Sequence, residues 1–235
     1  MQLYIGNKNY SSWSMRPWVL MREFDLAFDE VMLRFDGFGA DSKFKQAVTR
    51  LSPVGKVPLL VDGDLVIWDT LAIAEYLAEK FGDRALWPRQ AKARAQARSL
   101  CAEMHSGFAA LRHHCPQNIE ADLPEVGATL MAEQPEVRAD LARIESMWTQ
   151  ALAASKGPFL FGAYSIADAY FAPVVARLRS YALPVESQVA AYMARMLASA
   201  GMAAWVREAL AEVEFLDFEE PYRRGRDPGA GQAAR

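Results

Sequence analysis

Three short stretches of this chain could hold a small polar ligand. The first is Val57-Pro58, which opens an apolar run. A cis bond there would turn the Val57 N–H and C=O outward at a sheet edge, where they could pair with an extended peptide as an added strand would. The second is Asp69-Thr70. Asp69 is a favoured N-cap, and the helix beginning at Thr70 presents unbonded N–H groups and the positive end of its dipole to any nearby carboxylate. The third is the loop Asn9-Tyr10-Ser11-Ser12-Trp13-Ser14-Met15-Arg16, a cluster of hydroxyls ahead of a helix. Serines in such a loop also serve plain turn and cap chemistry. Lys56, beside Val57, offers a charge-assisted contact to an anion, or only a solvated ammonium.

The elements that must position these groups come from periodicity and punctuation. Residues 3–5 read as a short strand, and a helix capped by Ser12 or Ser14 follows, with Pro17 tolerated in its first turn. Residues 28–35 alternate as a second strand, and 42–51 form a weaker helix. Residues 57–61 and 65–68 are two strands of a hairpin whose turn is expected at Asp62-Gly63. Leu71, Ile73, Ala74, Leu77 and Ala78 then recur at helical spacing. The order is βαβαββα, in which the crossover makes the first two strands parallel and the hairpin makes the edge antiparallel.

This α/β domain is expected over residues 1–82, with a linker at 83–90 that contains Leu86-Trp87-Pro88. From residue 91 no strand is legible, and Ala-rich helical patterns recur over 91–113, 135–154, 166–181, 185–198 and 203–213. Between them, 116–135 reads as a long connection with a short helix at 126–131. The all-α domain is expected over 91–218, and 219–235 as a loose tail without periodicity. Ser165-Ile-Ala-Asp168, ahead of an apolar run, is a capping box.

Composition narrows the classes of partner. The 235 residues are 52% hydrophobic, enough to bury a core, and 26 basic against 29 acidic residues give a formal charge of -3. That balance offers no basic face for nucleic acid or a membrane surface. No apolar run reaches the roughly 20 residues that span a bilayer, and the first residues enter a strand pattern rather than a signal peptide, so a cytoplasmic location is expected. Cys101 and Cys115 fit no metal or redox spacing and read as buried small hydrophobes; His113-His114-Cys115 places neighbours on different helical faces. No metal is expected.

The run Ser52-Pro-Val-Gly-Lys-Val-Pro58, followed by Asp69-Thr-Leu-Ala-Ile-Ala-Glu-Tyr-Leu77, resembles the glutathione-binding half of the cytosolic glutathione S-transferases. The Ser165-x-x-Asp168 cap, preceded by Gly162, is similar to the cap of the core helix in their second domain. The resemblance implies a thioredoxin-like first domain, an all-helical second one and a homodimer. It places Val57 and Pro58 at the cysteinyl part of glutathione, Asp69 on the γ-glutamyl ammonium, Thr70 on its α-carboxylate and Lys56 near the glycyl carboxylate. Glu-Ser or Gln-Ser is usual in the family where this chain has Asp69-Thr70.

The loop resembles the Ser-Ser-x-Ser-x-Arg signature of the serine-type, zeta-like branch, with Trp13 where that branch has cysteine. The resemblance makes Ser11 or Ser12 the donor to the glutathione thiolate, with Tyr10 as a rival. Glutathione is then a co-substrate. The implied activity is transfer of its sulfur to a small hydrophobic electrophile, as in detoxification. Alternatives are an isomerase of the maleylacetoacetate or maleylpyruvate type and a non-catalytic binding protein on the same fold. His105 is a further candidate for substrate contact, with packing as its plainer role.

Overall fold

The computed structural model describes residues 1–226. Its first half is a four-stranded mixed sheet in the order β2-β1-β3-β4, built from β1 (Gln2–Ile5), β2 (Asp29–Met32), β3 (Leu59–Asp62) and β4 (Leu65–Trp68). β1 runs parallel to β2 and antiparallel to β3, and β3 pairs antiparallel with β4. Three helices accompany the sheet: α1 (Ser12–Glu23), α2 (Lys43–Leu51) and α3 (Thr70–Lys80). This is the βαβαββα order expected of a thioredoxin-like domain.

Local chemistry accounts for most boundaries. Ser42 caps α2 by accepting from the Lys45 N–H, and Asp69 caps α3 by accepting from the Leu71 N–H at 2.8 Å. The hairpin turn falls one residue later than expected. Asp62 pairs with Leu65, so the two turn residues are Gly63 and Asp64, and Gly63 alone takes the left-handed φ of 63°. α1 begins at Ser12, which puts Pro17 past the first turn and inside the helix.

The second half contains α4 (Ala91–Ser106), α5 (Ala109–His114), α6 (Pro124–Glu133), α7 (Pro135–Ser155), α8 (Ile166–Ser180), α9 (Ser187–Ala198) and α10 (Ala200–Ala211). The single helix expected over 91–113 is two. Gly107 leaves helical geometry and Phe108 adopts φ 57°, turning the chain before α5. The connection expected over 116–135 carries the ten-residue α6. Residues 159–163, in the half where no strand was expected, make two isolated β-bridges, Phe159 with Gly162 and Phe161 with Ala163.

α8 is the organising helix of this half, buried along almost its whole length between α1 and α4. Its capping box is formed: the Asp168 carboxylate accepts from the Ser165 and Leu160 N–H groups and from the Tyr192 hydroxyl. Burial pushes the Asp168 carboxyl up to about 6. α10 packs on α1, and Lys8 joins the halves, its Nζ 2.6–2.7 Å from Glu30 and Glu208 and over the Trp18 and Trp205 rings. Cys101 and Cys115 are both buried and unpaired.

Residues 219–226, expected as part of a loose tail, are strapped across the molecule instead. Glu220, almost fully buried, accepts from Tyr10 Oη at 2.7 Å, Asn118 Nδ2 at 2.8 Å and Arg223 at 2.6 Å. Arg226 pairs with Glu120 at 2.6 Å, and Tyr222 donates to the His114 carbonyl. The expectation failed because it looked for periodicity, whereas isolated buried ion pairs hold this segment. The rest of the expected tail, 227–235, lies outside the described residues.

Among the described residues no single helix is long and apolar enough to cross a membrane; α9 and α10 reach that length and hydropathy only together, across a 70° bend. No group of three potential metal ligands is present among them either.

Candidate functional site

A cavity of about 420 Å³ opens between the first loop, the residues before β3, and the second helical half. Of the residues singled out in the sequence it gathers Ser11, Ser12, Lys56 and Val57, together with the rival donor Tyr10. Pro58, Asp69 and Thr70 do not line it.

The two serines differ in their commitments. Ser11, at the N-cap position of α1, is buried and donates to Ser14 Oγ at 2.7 Å, which also accepts from the Gly6 N–H. Ser12 is half-buried, and its hydroxyl makes no hydrogen bond to another described residue. Both sit at the N-terminal end of α1, where unbonded N–H groups and the helix dipole favour an anion. Tyr10, the rival donor, is committed elsewhere: its hydroxyl donates to Glu220 and accepts from the Leu216 N–H at 3.2 Å. Burial, with the Glu220 bond, pushes that phenol far above its ordinary range.

The Val57-Pro58 bond is cis. Among the described residues nothing hydrogen-bonds the Val57 backbone. Lys56 is exposed, and its neighbour on the cavity wall, Lys45, reaches the Gly55 carbonyl at 2.8 Å.

Asp69 and Thr70 belong to a chain of contacts across the two halves. Asp69 is exposed, with φ 73° and ψ 132°, a conformation that costs a non-glycine residue of order 1–3 kcal/mol. Its Oδ2 lies 3.3 Å from His105 Nε2, while His105 Nδ1 and Thr70 Oγ1 each lie 2.7 Å from Tyr170 Oη. The Thr70 hydroxyl, expected on a ligand carboxylate, is thus buried against α8; what Thr70 leaves for a ligand is its place at the start of α3. His105 takes its plainer role, packed edge-on to Trp13 and bonded to Tyr170.

Sequence reasoning missed the inner wall. Arg112, Gln117 and Arg177 line the cavity with Trp13, Phe35, Phe38 and Phe44. Arg177 is buried and donates to the Cys115 carbonyl at 2.8 Å; burial, then the neighbouring Arg16, lower it to about 10, so it stays charged at neutral pH. Gln117 Oε1 is buried and has no hydrogen-bond partner among the described residues. Glu219, from the C-terminal strap, completes the lining. No local signal marks these residues, although buried cations among apolar neighbours on α8 hint at Arg177. Arg16, named in the loop signature, is buried with its guanidinium 4.2 Å from the Trp13 ring centre and 4.5 Å from that of Tyr170, and burial lowers it to about 10.

Comparison with known proteins places this architecture. The family model for the glutathione S-transferase N-terminal domain matches residues 10–80, and that for the C-terminal domain matches residues 93–208. Glutathione S-transferase 1 of Dianthus caryophyllus is 38% identical over 95 residues, which are 40% of this chain and 41% of that protein. The chain therefore spans less than half the length of that relative. A Burkholderia glutathione transferase homologue solved with bound glutathione superposes with a TM-score of 0.66 at 24% identity, covering 91% of this chain and 98% of the other. The holo structure of maleyl pyruvate isomerase, a bacterial zeta-class glutathione S-transferase, gives 0.67 at 21% identity, covering 87% and 96%. At such identities the two likenesses speak to the fold. The two family models, falling in order on the thioredoxin-like and helical halves, establish that the chain belongs to the glutathione S-transferase family.

Proposed function

We propose that the protein is a glutathione transferase that ionises the glutathione thiol between Ser11 and Ser12 and directs the sulfur at a small electrophile. The observation that carries this reading is the single cavity shared by those serines, the unbonded Val57 backbone and a mixed aromatic and cationic inner wall. Glutathione lies along Val57 as an added strand would, with its γ-glutamyl ammonium toward Asp69 and its α-carboxylate toward the start of α3. Lys56 and Lys45 provide cations for the glycyl end. A thiol titrates near 8.5, and lowering it by about 2 units takes about 2.7 kcal/mol of preferential stabilisation of the anion. Hydroxyl donation and the α1 N-terminus supply that preference.

A second reading is favoured by Arg112, Arg177 and the buried Gln117 Oε1, which has no partner among the described residues. Two guanidiniums at the inner end suit an electrophile that carries a carboxylate, so isomerisation of a maleyl-type diacid by reversible thiolate addition fits the same cavity. Trp13 in place of the zeta-branch cysteine argues for the broader transferase reading. A two-fold homodimer belongs to the proposal and is checked by sedimentation.

Calorimetric titration with glutathione tests the reading on the parent and on Ser11→Ala, Ser12→Ala and Asp69→Ala variants. Saturable binding, weakened in Asp69→Ala and with bound thiolate absorbance lost in a serine variant, is the expected result. No binding at millimolar glutathione would sink the proposal and leave a transferase fold used for contacts alone.

A further inference from the structure

We propose that Glu219 is the proton acceptor for the ligand thiol in this cavity, delivered to it by the C-terminal strap; this rests on the glutathione reading above. Glu219 ends a short 3₁₀ turn (Asp217–Glu219) and lines the same cavity as Ser11, Ser12 and Val57. Its carboxylate has no hydrogen bond or ion pair among the described residues, although the residue is half-buried.

The strap holds it there on both sides. Glu220, the next residue, is locked among Tyr10, Asn118 and Arg223, and Phe218, the residue before, packs edge-on against Phe38 with ring centres 5.6 Å apart. An unpaired carboxylate held at an aromatic-walled cavity, by a buried residue on one side and an aromatic contact on the other, is placed for chemistry rather than for stability, since a partner or open water would serve stability better.

Charged and titratable groups from several elements share the cavity with Glu219, but only the neighbouring Glu220 adds a charge effect on it. Lys45 and Lys56 come from α2 and the loop before β3, Arg112 and Arg177 from α5 and α8, and Tyr10 from the first loop, while Glu220 is the next residue of the strap, outside the lining. Burial raises the Glu219 carboxyl to about 7, with the Glu220 charge adding to the effect. It is therefore largely ionised at slightly alkaline pH and protonated below neutrality, a match to a bound thiol that the serines and the α1 N-terminus have lowered toward neutrality.

The step balances simply. The thiol S–H bond breaks and its proton passes to a Glu219 carboxylate oxygen. The sulfur electron pair forms the new S–C bond, and in a substitution the leaving group departs as an anion with its bonding pair. Glu219 then releases the proton to water. In an addition it returns the proton to the carbon that became anionic.

The test uses 1-chloro-2,4-dinitrobenzene as probe electrophile, with kcat/KM measured against pH for the parent, Glu219→Gln and Glu219→Asp, and glutathione binding measured by calorimetry on each. The expected result is a kcat/KM that rises with a midpoint near pH 7 to a plateau about one unit higher in the parent. Glu219→Gln should lose that limb and fall about 10²-fold, Glu219→Asp should recover part of it, and glutathione affinity should hold within about threefold. A Glu219→Gln profile equal to or above the parent's overturns the assignment alone, because the carboxylate would then only oppose the thiolate. Loss of glutathione binding in Glu219→Gln also overturns it, in favour of a binding role. A parent that binds no glutathione, or binds it without turning over the probe, overturns the inference, and the first of these overturns the functional reading with it.

Discussion

Replacing Tyr10 with phenylalanine separates two roles that the first loop allows. If the phenol were the thiolate donor, its loss would raise the bound thiol's titration midpoint and leave the strap alone. The structure assigns it to the strap: Tyr10 Oη donates to Glu220 Oε1 at 2.7 Å and accepts from the Leu216 N–H at 3.2 Å, with the ring buried against Phe35, Phe44 and Leu59. A hydrogen bond to a buried carboxylate is worth about 1.5–3 kcal/mol, and the apolar ring contacts survive in phenylalanine. Each 1.4 kcal/mol is tenfold, so the strap should open about 10–100 times more often. That opening should be local, because Glu220 and Arg223 lie near the end of the chain and can lift off Asn118 without disturbing the core. The assay is amide hydrogen exchange over 214–226, paired with the thiolate absorbance of bound glutathione against pH. Faster exchange with an unchanged thiol midpoint is expected. A midpoint raised by a full unit with unchanged exchange would refute the assignment.

Two further outcomes concern the core. Burial raises the Asp168 carboxyl to about 6 from 3.8, so the folded state binds its proton more tightly than the unfolded state; the stabilising contribution is complete below about pH 4 and is lost as pH rises to about 6. Asp168→Asn should remove that slope from urea midpoints measured across this window and cost about 2–4 kcal/mol, because an amide cannot accept all the bonds from Leu160, Ser165 and Tyr192. Identical slopes in the two proteins would contradict it. Gly201→Ala places a Cβ 2.4 Å from the Val19 carbonyl oxygen, where α10 crosses α1. The overpacking should cost about 1–3 kcal/mol and lower the melting temperature by several degrees, and an unmoved melt would show that the two helices separate freely.

The local elements of this fold were legible because their causes are local. Gly63 supplies the turn, Ser42 and Asp69 supply caps within two or three residues, and the Ser165–Asp168 box starts the buried helix α8, each by a bond between near neighbours. Ser11, Ser12, Lys56 and Val57 could be singled out because they sit in short motifs. The break at Gly107-Phe108 was harder, since glycine tolerates a helix interior and only the left-handed Phe108 commits the chain to turn.

What tertiary structure alone decided is the far side of the cavity and the fate of the chain's end. Arg112, Arg177 and Glu219 lie on three separate segments, and no spacing rule links them to Ser12; they meet because α8 packs on α1 and the strap then crosses the first loop. The Thr70 hydroxyl is drawn to Tyr170 by the same packing, a hundred residues away in sequence. Sequence periodicity records which face of an element is buried, but a charged side chain in a cavity is placed by whichever distant surface closes over it, and that surface is written nowhere in its own neighbourhood.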